Sequence, residues 1–319
     1  MQGLVTVFGA SGFIGAQVVR ALARRGLRIR AAMRNPGHGY RLPMLGDVGQ
    51  IEVVQANIRM PASIARALDG AQACVNLVGV LHEQGRQRFQ SIHGMGAQNL
   101  AEAAVAAQVE RFVQVSALGA DPGGLSKYAR TKAAGEAAVR ERLKGAVILR
   151  PSIVFGPEDD FFNRFARMAT RSPVLPLIGG GATRFQPVYV GDVAQAVAAS
   201  VLDPATAGRT YELGGPCVYS FRALMEMILA ETGRRCVLVP VPFPVAAAIG
   251  AAGDIQAVLM KPVLTSDQVA SLRTDNVVAR GAKGLSDLGV TPTSLEAILP
   301  TYLWRYRKGG QYAEALEAQ

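Results

Sequence analysis

A chain of 319 residues, half of them hydrophobic and 18% charged, can bury a sizeable core and has the make-up of a soluble globular protein of one large or two closely merged domains. Its 34 Lys and Arg against 24 Asp and Glu leave a formal charge of +10, which suits an anionic cofactor, an anionic membrane surface, an acidic partner or simply an Arg-rich exterior. The basic residues are scattered along the chain, which argues against nucleic acid, and Cys74, Cys217 and Cys236 have no CxxC spacing, which argues against a disulfide framework or a zinc site.

An apolar run begins by Leu4, so no signal peptide or transit sequence is expected ahead of the first element. Residues 4–8 read as a buried strand and 13–24 as a helix, joined by "GASGFIG". In that turn Gly9 permits the tight bend, Gly12 lets the backbone approach a pyrophosphate, and Gly15 lets the helix pack closely. The helix N-terminus adds N–H groups and a partial positive charge for phosphates. The spacing is GxxGxxG rather than GxGxxG, but a strand before it and a helix after it point to a dinucleotide site. The second strand, 29–33, ends in "AAMRNP", so Met33 and Arg34 stand where an NAD site would place an acid for the ribose hydroxyls. An Arg there attracts a 2′-phosphate, which favours NADP(H) over NAD(H). A third strand, 51–54, leads to Asn57, in reach of an adenine edge, and a helix follows at 61–68. The strand at 73–78 puts Asn76 and Gly79 of "VNLVG" beneath the middle of such a cofactor.

A helix at 94–107 and a strand at 112–115 bring the chain to "VSALGADPGGLSKYARTK". Within a helix at 126–143, Tyr128 and Lys132 stand at i and i+4 and point from one face. An ammonium beside a phenol lowers its pKa and makes it a usable acid/base, and the same ammonium can hold ribose hydroxyls. Ser116 is followed by Ala117 where reductases of this kind carry a second serine, so Ser116, Tyr128 and Lys132 are an incomplete catalytic set. Catalysis and plain cofactor binding both remain open to them. A strand at 146–149 completes the alternation of a Rossmann-type, doubly wound parallel sheet, with its ligand crevice at the carboxyl ends of the strands.

Beyond Pro151 the cadence loosens, with helices expected at 161–170, 193–202 and 221–232 and short strands near 187–190 and 210–213. We expect a Rossmann domain over 1–156 and a smaller, partly discontinuous lobe over 157–319 that returns strands to the first sheet. Residues 237–253 are apolar, but Pro240, Pro242 and Pro244 break them and Asp254 stops them short of a bilayer span. Residues 249–264 are apolar with few charges, and "YLWRYRKGGQY" interleaves Tyr302, Trp304 and Tyr306 with Arg305, Arg307 and Lys308. Both suit a partner surface or a membrane interface; the alternative is lobe core and a docked tail. His82 and His93 have no second ligand at metal spacing and read as surface or core residues.

The glycine turn, "YARTK" and "LRPSIVFGPED" together resemble the atypical and extended short-chain dehydrogenase/reductase superfamily over nearly the whole chain. More narrowly, "VSALGAD", "RPSIVFGPEDDFFNRFA", "GGGATRFQPVYVGDVA", "TYELGGP" and "LPTYLWRYRKGGQY" resemble the NADPH-binding accessory subunit of respiratory complex I in its alphaproteobacterial form. That resemblance implies a tightly held NADPH far from the flavin and iron–sulfur chain. It also implies partners among the complex I subunits near the quinone site, where the peripheral and membrane arms join, on the cytoplasmic side of a bacterial inner membrane. Carried over position by position, the cofactor residues are Gly9, Ser11, Gly12, Phe13, Ile14, Gly15, Arg34, Asn57, Val78, Gly79, Ser116, Tyr128, Lys132 and Pro151, with Ile153 and Phe155 flanking the nicotinamide. The chain departs from many relatives at Asn57, where they have Asp, at His93, where they often have Asn, and at Ala117, which puts turnover in doubt. The alternatives are an NADP-dependent reductase or epimerase-like enzyme, in which Arg184 of "GGGATRF" would hold a diphosphate, and a helper in ubiquinone synthesis.

Overall fold

The computed structural model describes residues 3–256 and 264–312. The chain runs β1 (Leu4–Phe8), α1 (Phe13–Ala23), β2 (Arg28–Met33), β3 (Ile51–Gln55), α2 (Pro61–Leu68), β4 (Ala73–Asn76), α3 (Met95–Ala106), β5 (Arg111–Val115), α4 (Lys127–Arg142) and β6 (Val147–Pro151). It continues β7 (Val154–Phe155), α5 (Phe161–Arg171), β8 (Val174–Ile178), β9 (Arg184–Phe185), β10 (Val188–Tyr189), α6 (Val190–Leu202) and β11 (Thr210–Leu213). Last come β12 (Tyr219–Ser220), α7 (Phe221–Thr232), β13 (Val237–Val241), α8 (Phe243–Gln256), α9 (Ser266–Ser271), α10 (Leu295–Ile298) and α11 (Pro300–Leu303). Seven of the strands form one sheet in the order β11-β6-β5-β4-β1-β2-β3, and every pair in it is parallel. This is the Rossmann-type doubly wound sheet that the alternation predicts.

By its contacts the chain divides into two units. The first is Met1–Pro151, Val190–Leu213 and Ala279–Thr291 and contains the whole seven-stranded sheet. Helices α1 and α6 pack together, and α2, α3 and α4 form a second layer. Strands covered on both faces read as unbroken apolar runs. In β1, Val5, Thr6 and Val7 are all fully buried, and Thr6 is tolerated because its hydroxyl donates to the Ala67 carbonyl at 2.8 Å. On α3 the buried residues Gly96, Ala97, Leu100, Ala101 and Ala104 recur at three and four, so they form the one stripe that enters the core with Leu68, Cys74 and Phe112. The fourth strand is two residues shorter than the sequence suggests. The Asn76 carboxamide oxygen accepts the Val78 N–H at 3.1 Å and turns the chain out of the sheet.

The second unit is Ser152–Tyr189, Gly214–Val278 and Pro292–Gln319. It holds three two-stranded ribbons, β7 with β10, β9 with β12 and β8 with β13, around a core of Phe155, Phe162, Leu177, Phe185, Phe221, Leu224, Ile228, Leu295 and Leu303. The tail "YLWRYRKGGQY" is docked on this core. Buried Tyr302 donates its hydroxyl to Asp159 at 2.5 Å, Arg305 donates to the Pro157 carbonyl and to Asn163 Oδ1, and Arg307 faces Glu231 at 3.6 Å. Of the three cations in that string, Arg305 and Lys308 are exposed, and Arg305 is tethered by the bonds just described. Arg184, the residue an epimerase-like site would use, lies in an ion pair with Asp275 at 2.7 Å. In the apolar stretch 249–264, residues 257–263 lie outside the described residues; residues 249–256 belong to α8, whose Ala246 packs in a cluster with Ile178 and Val269, and Leu264 packs against that cluster.

One helix–turn contact in the first unit is unusually close. A Cβ added at Gly135 of α4 would lie 2.1 Å from the carbonyl oxygen of His93, in the π-helical turn Gln90–Gly94 that precedes α3. Gly135→Ala replaces a glycine inside a helix, a change that ordinarily stabilises by about 0.5–1 kcal/mol. Here the clash is with backbone, and we expect a loss of about 1–3 kcal/mol instead. Denaturant titration of the purified variant measures the sign; a gain in stability contradicts the contact.

Candidate functional site

The three glycines of the first turn have separate duties that the geometry makes visible. Gly9 has φ +83° and sits where a Cβ would be 3.2 Å from the backbone of Leu77 and Val78. At Gly15 a Cβ would fall 2.2 Å from the Gly9 carbonyl oxygen, so the first turn of α1 lies directly against the loop. Gly12 is different, because its Cβ would meet nothing nearer than Gly9 O at 3.3 Å. It is the N-cap of α1 and supplies no capping side chain, and no acidic residue stands in the first turn. The N–H groups there are left for an anion, with the helix dipole behind them.

A cleft opens at the carboxyl ends of β1, β2, β3 and β4. Its lining includes Gly9, Ser11, Gly12, Arg34, Asn57, Val78 and Gly79, seven of the residues that the sequence singles out. Phe13 and Ile14 stand in the α1 turn beside it. Arg34 is exposed at the end of β2, next to buried Met33. Asn57 is partly committed, since its Oδ1 accepts the Arg59 N–H at 3.1 Å. Asn76 is buried behind the cleft, donating to Gln114 at 2.9 Å, and so shapes the Val78 turn.

The second cluster centres on Lys132. Its ammonium is buried, donates to the Val115 carbonyl at 3.4 Å, and lies 3.3 Å from where a Cβ on Gly79 would be, so a side chain at 79 would crowd the ammonium. Burial lowers the Lys132 pKa to about 8, and the Glu136 carboxylate acts in the opposite direction. The Tyr128 ring centre is 5.8 Å from that ammonium and meets His93 edge-on at 5.3 Å and Phe89 at 5.8 Å. Ser126 caps α4 by accepting the Ala129 N–H at 3.1 Å, which fixes where the helix carrying Tyr128 and Lys132 begins.

His93 is the residue whose part in the site the sequence did not disclose. It is buried, and burial together with the Lys132 charge drives its pKa down to about 2, so the imidazole is neutral. Nε2 accepts the Val80 N–H at 3.1 Å, which leaves the proton on Nδ1, 3.3 Å from Thr131 Oγ1. The ring thereby holds the Gly79–Val80 turn against α4. Its sequence signals were its place one turn ahead of a helix that faces the Tyr-x-x-x-Lys pair and its departure from the Asn that relatives often carry there.

Ser116 follows β5, with its N–H on the Leu149 carbonyl at 2.7 Å, and Leu118 N–H reaches the Pro151 carbonyl at 2.9 Å. The Ser116 hydroxyl is buried and has no hydrogen-bond partner among the described residues. An orphaned hydroxyl, an open backbone at Gly12 and an uncapped helix N-terminus are the features a dinucleotide would satisfy, and in that sense the residues fit such a cofactor. Ile153 and Phe155 belong to the second unit. Phe155 is fully buried against Phe162 and Tyr189, so its ring is a core side chain there.

A model of the NAD dependent epimerase/dehydratase family matches residues 5–214. The chain is 36% identical, over 97% of its own length and 80% of the relative's, to the mitochondrial NADH dehydrogenase [ubiquinone] 1 alpha subcomplex subunit 9 of Arabidopsis thaliana. It is also 36% identical to the ceramide reductase of Caulobacter vibrioides, over 64% of the chain and 62% of that enzyme. Among solved structures, the triphenylmethane reductase of Citrobacter sp. superposes with a TM-score of 0.75 over 94% of this chain and 99% of that one, at 20% identity, a likeness of fold. The nucleotide-type turn, the parallel sheet and these matches agree: the chain belongs to the NAD dependent epimerase/dehydratase family, in the branch of the NADH dehydrogenase 1 alpha subcomplex subunit 9 proteins.

Proposed function

We propose that the protein is an NADP(H)-binding accessory subunit of NADH:ubiquinone oxidoreductase, respiratory complex I, held at the membrane periphery near the quinone site on the bacterial cytoplasmic side, without turnover of its own. The observation that carries this reading is the 36% identity over 97% of the chain to a subunit named for that enzyme. The N–H groups at the start of α1 would hold the pyrophosphate and Arg34 the 2′-phosphate, with no acid at the end of β2 to repel it. Lys132 and Ser116 would hold the nicotinamide half, which supplies a hydride when bound. A bound rather than a reacting cofactor is supported by the chain after β5, where Ser116 Oγ makes no hydrogen bond among the described residues and Ala117 offers no second hydroxyl.

A reductase is the second reading, favoured by the likeness to the Caulobacter ceramide reductase and by the retained Tyr128 and Lys132. Purification of the NADH:ubiquinone oxidoreductase from native membranes separates the two. We expect the chain in stoichiometric amount with the complex, and no oxidation of NADPH above background with carbonyls, quinones or sugar nucleotides. Rapid NADPH oxidation that Tyr128→Phe abolishes makes the second reading the right one.

Arg34→Asp tests the nucleotide. A charge-assisted contact contributes about 1.5–3 kcal/mol, so NADPH affinity should fall about 10- to 100-fold while NADH affinity changes little. Equal affinities of the parent protein for the two nucleotides in calorimetry exclude the 2′-phosphate contact.

The Lys132 pKa of about 8 gives a pH dependence with a definite sign. Phosphate and ribose oxygens favour the ammonium, which is present below that pH and lost above it, so NADPH affinity should begin to fall as pH rises past 8. The neighbouring His93 does not reverse this, since with its pKa of about 2 it stays neutral between pH 7 and 9. Lys132→Gln should bind more weakly at pH 7 and lose the inflection; an unchanged inflection assigns it to another group.

A further inference from the structure

A cavity in the second unit lies between the ends of α5 and α7 and the chain after α11. It is lined by Arg171, Arg234, Arg235 and Lys308, and by no Asp or Glu. Arg171, Arg235 and Lys308 are exposed and form no ion pair among the described residues, and Arg234 donates to the Tyr306 carbonyl at 3.0 Å. Cations near helix C-termini are ordinarily explained by the dipole. Two helix ends, however, amount to about one negative charge together, which leaves most of four cations uncompensated. The neighbouring acid, Glu231, already faces Arg307 at 3.6 Å. Like charges gathered from three chain segments repel one another unless an anion joins them.

The rim of this cavity says what kind of anion. Strand β8 starts at Val174, directly after the lining residue Pro173, and β13 starts at Val237, directly after Cys236. Val174 and Val237 are register partners, yet they are 41% and 65% exposed, and Val239 further along is 40% exposed. The same ribbon leads into α8, where Val245 and Ile249 face solvent at 51% and 52%. A pocket for a soluble phosphate compound has no use for a ridge of bare aliphatic side chains. A bilayer surface does, since headgroup phosphates meet the cations while the acyl boundary covers the valines. Trp304 and Tyr312, both partly exposed in the segment that carries Lys308, suit the same interface.

We propose that this cavity is a headgroup site for anionic phospholipid, through which the second unit docks on a membrane surface. The inference deepens the reading of a membrane-peripheral subunit and rests on it for its biological setting, but it uses none of the nucleotide-site residues.

The test is flotation of the purified full-length chain with vesicles of phosphatidylcholine alone, and with vesicles containing one third phosphatidylglycerol. We expect binding to the anionic vesicles, and a loss on the order of a hundredfold for the triple variant Arg171→Glu, Arg235→Glu, Lys308→Glu, whose side chains face solvent, so that folding is not at stake. Val237→Ser with Val239→Ser should weaken vesicle binding and leave the response to inorganic phosphate unchanged. Equal binding to both vesicle types, or full retention by the triple variant, overturns the site. Tight binding of inorganic phosphate without vesicle binding overturns the lipid as its occupant. No other subunit is present in this experiment, so its failure is distinct from a failure to co-purify with the membrane enzyme.

Discussion

The charge of Lys132 is what much of the first unit is arranged around. A buried ammonium without compensation costs several kcal/mol. Here Glu136 stands one turn along the same helix face, and it in turn takes both forks of Arg150 on β6, at 3.0 and 2.7 Å. Arg150 also reaches Glu212 on β11 at 3.6 Å. Signs alternate along this chain from α4 through β6 to β11, so each charge stands beside its opposite. Glu212 extends the order outward, since its carboxylate accepts the Ala279 N–H at 2.9 Å and its own N–H donates to the Lys283 carbonyl at 2.8 Å. The three separated pieces of sequence that make up the first unit thus meet at the support of a single ammonium.

Burial first, and the Lys132 charge beside it, keep His93 neutral, so that it accepts the Val80 N–H. A neutral imidazole is a suitable post for the turn, because an imidazolium could not accept. At the other end of the cleft the physics differs: α1 contributes uncapped N–H groups and a dipole, with no buried ion at all. One end of the cleft is therefore polar by backbone geometry and the other by a compensated side-chain charge.

The net charge of +10 is distributed unevenly in purpose. Arg150, Arg184, Arg305 and Arg307 are internal tethers, each engaged with an acid or a carbonyl within its own unit. Arg171, Arg235 and Lys308 are not, and they share one cavity. Counting basic residues could not tell these two groups apart.

Periodicity alone determined the doubly wound sheet. The 4–8 and 61–68 segments were legible to the residue, because a parallel strand must be apolar on both faces and a helix begins at a proline it tolerates. The nucleotide-type turn was legible as well, because its glycines answer to local backbone geometry: Gly9 to a positive φ, Gly15 to a carbonyl six residues back. The pairing of Tyr128 with Lys132 followed from a helical repeat. What the sequence left open was every feature that depends on distant residues. The role of His93 needs α4 at its back and Val80 in front; the fate of Arg184 and Arg305 needs Asp275 and Asn163, which stand 91 and 142 residues away. Phe155 is fully buried against Phe162 in the second unit, because an aromatic ring goes where a cavity of matching shape is, and only the tertiary structure makes that cavity.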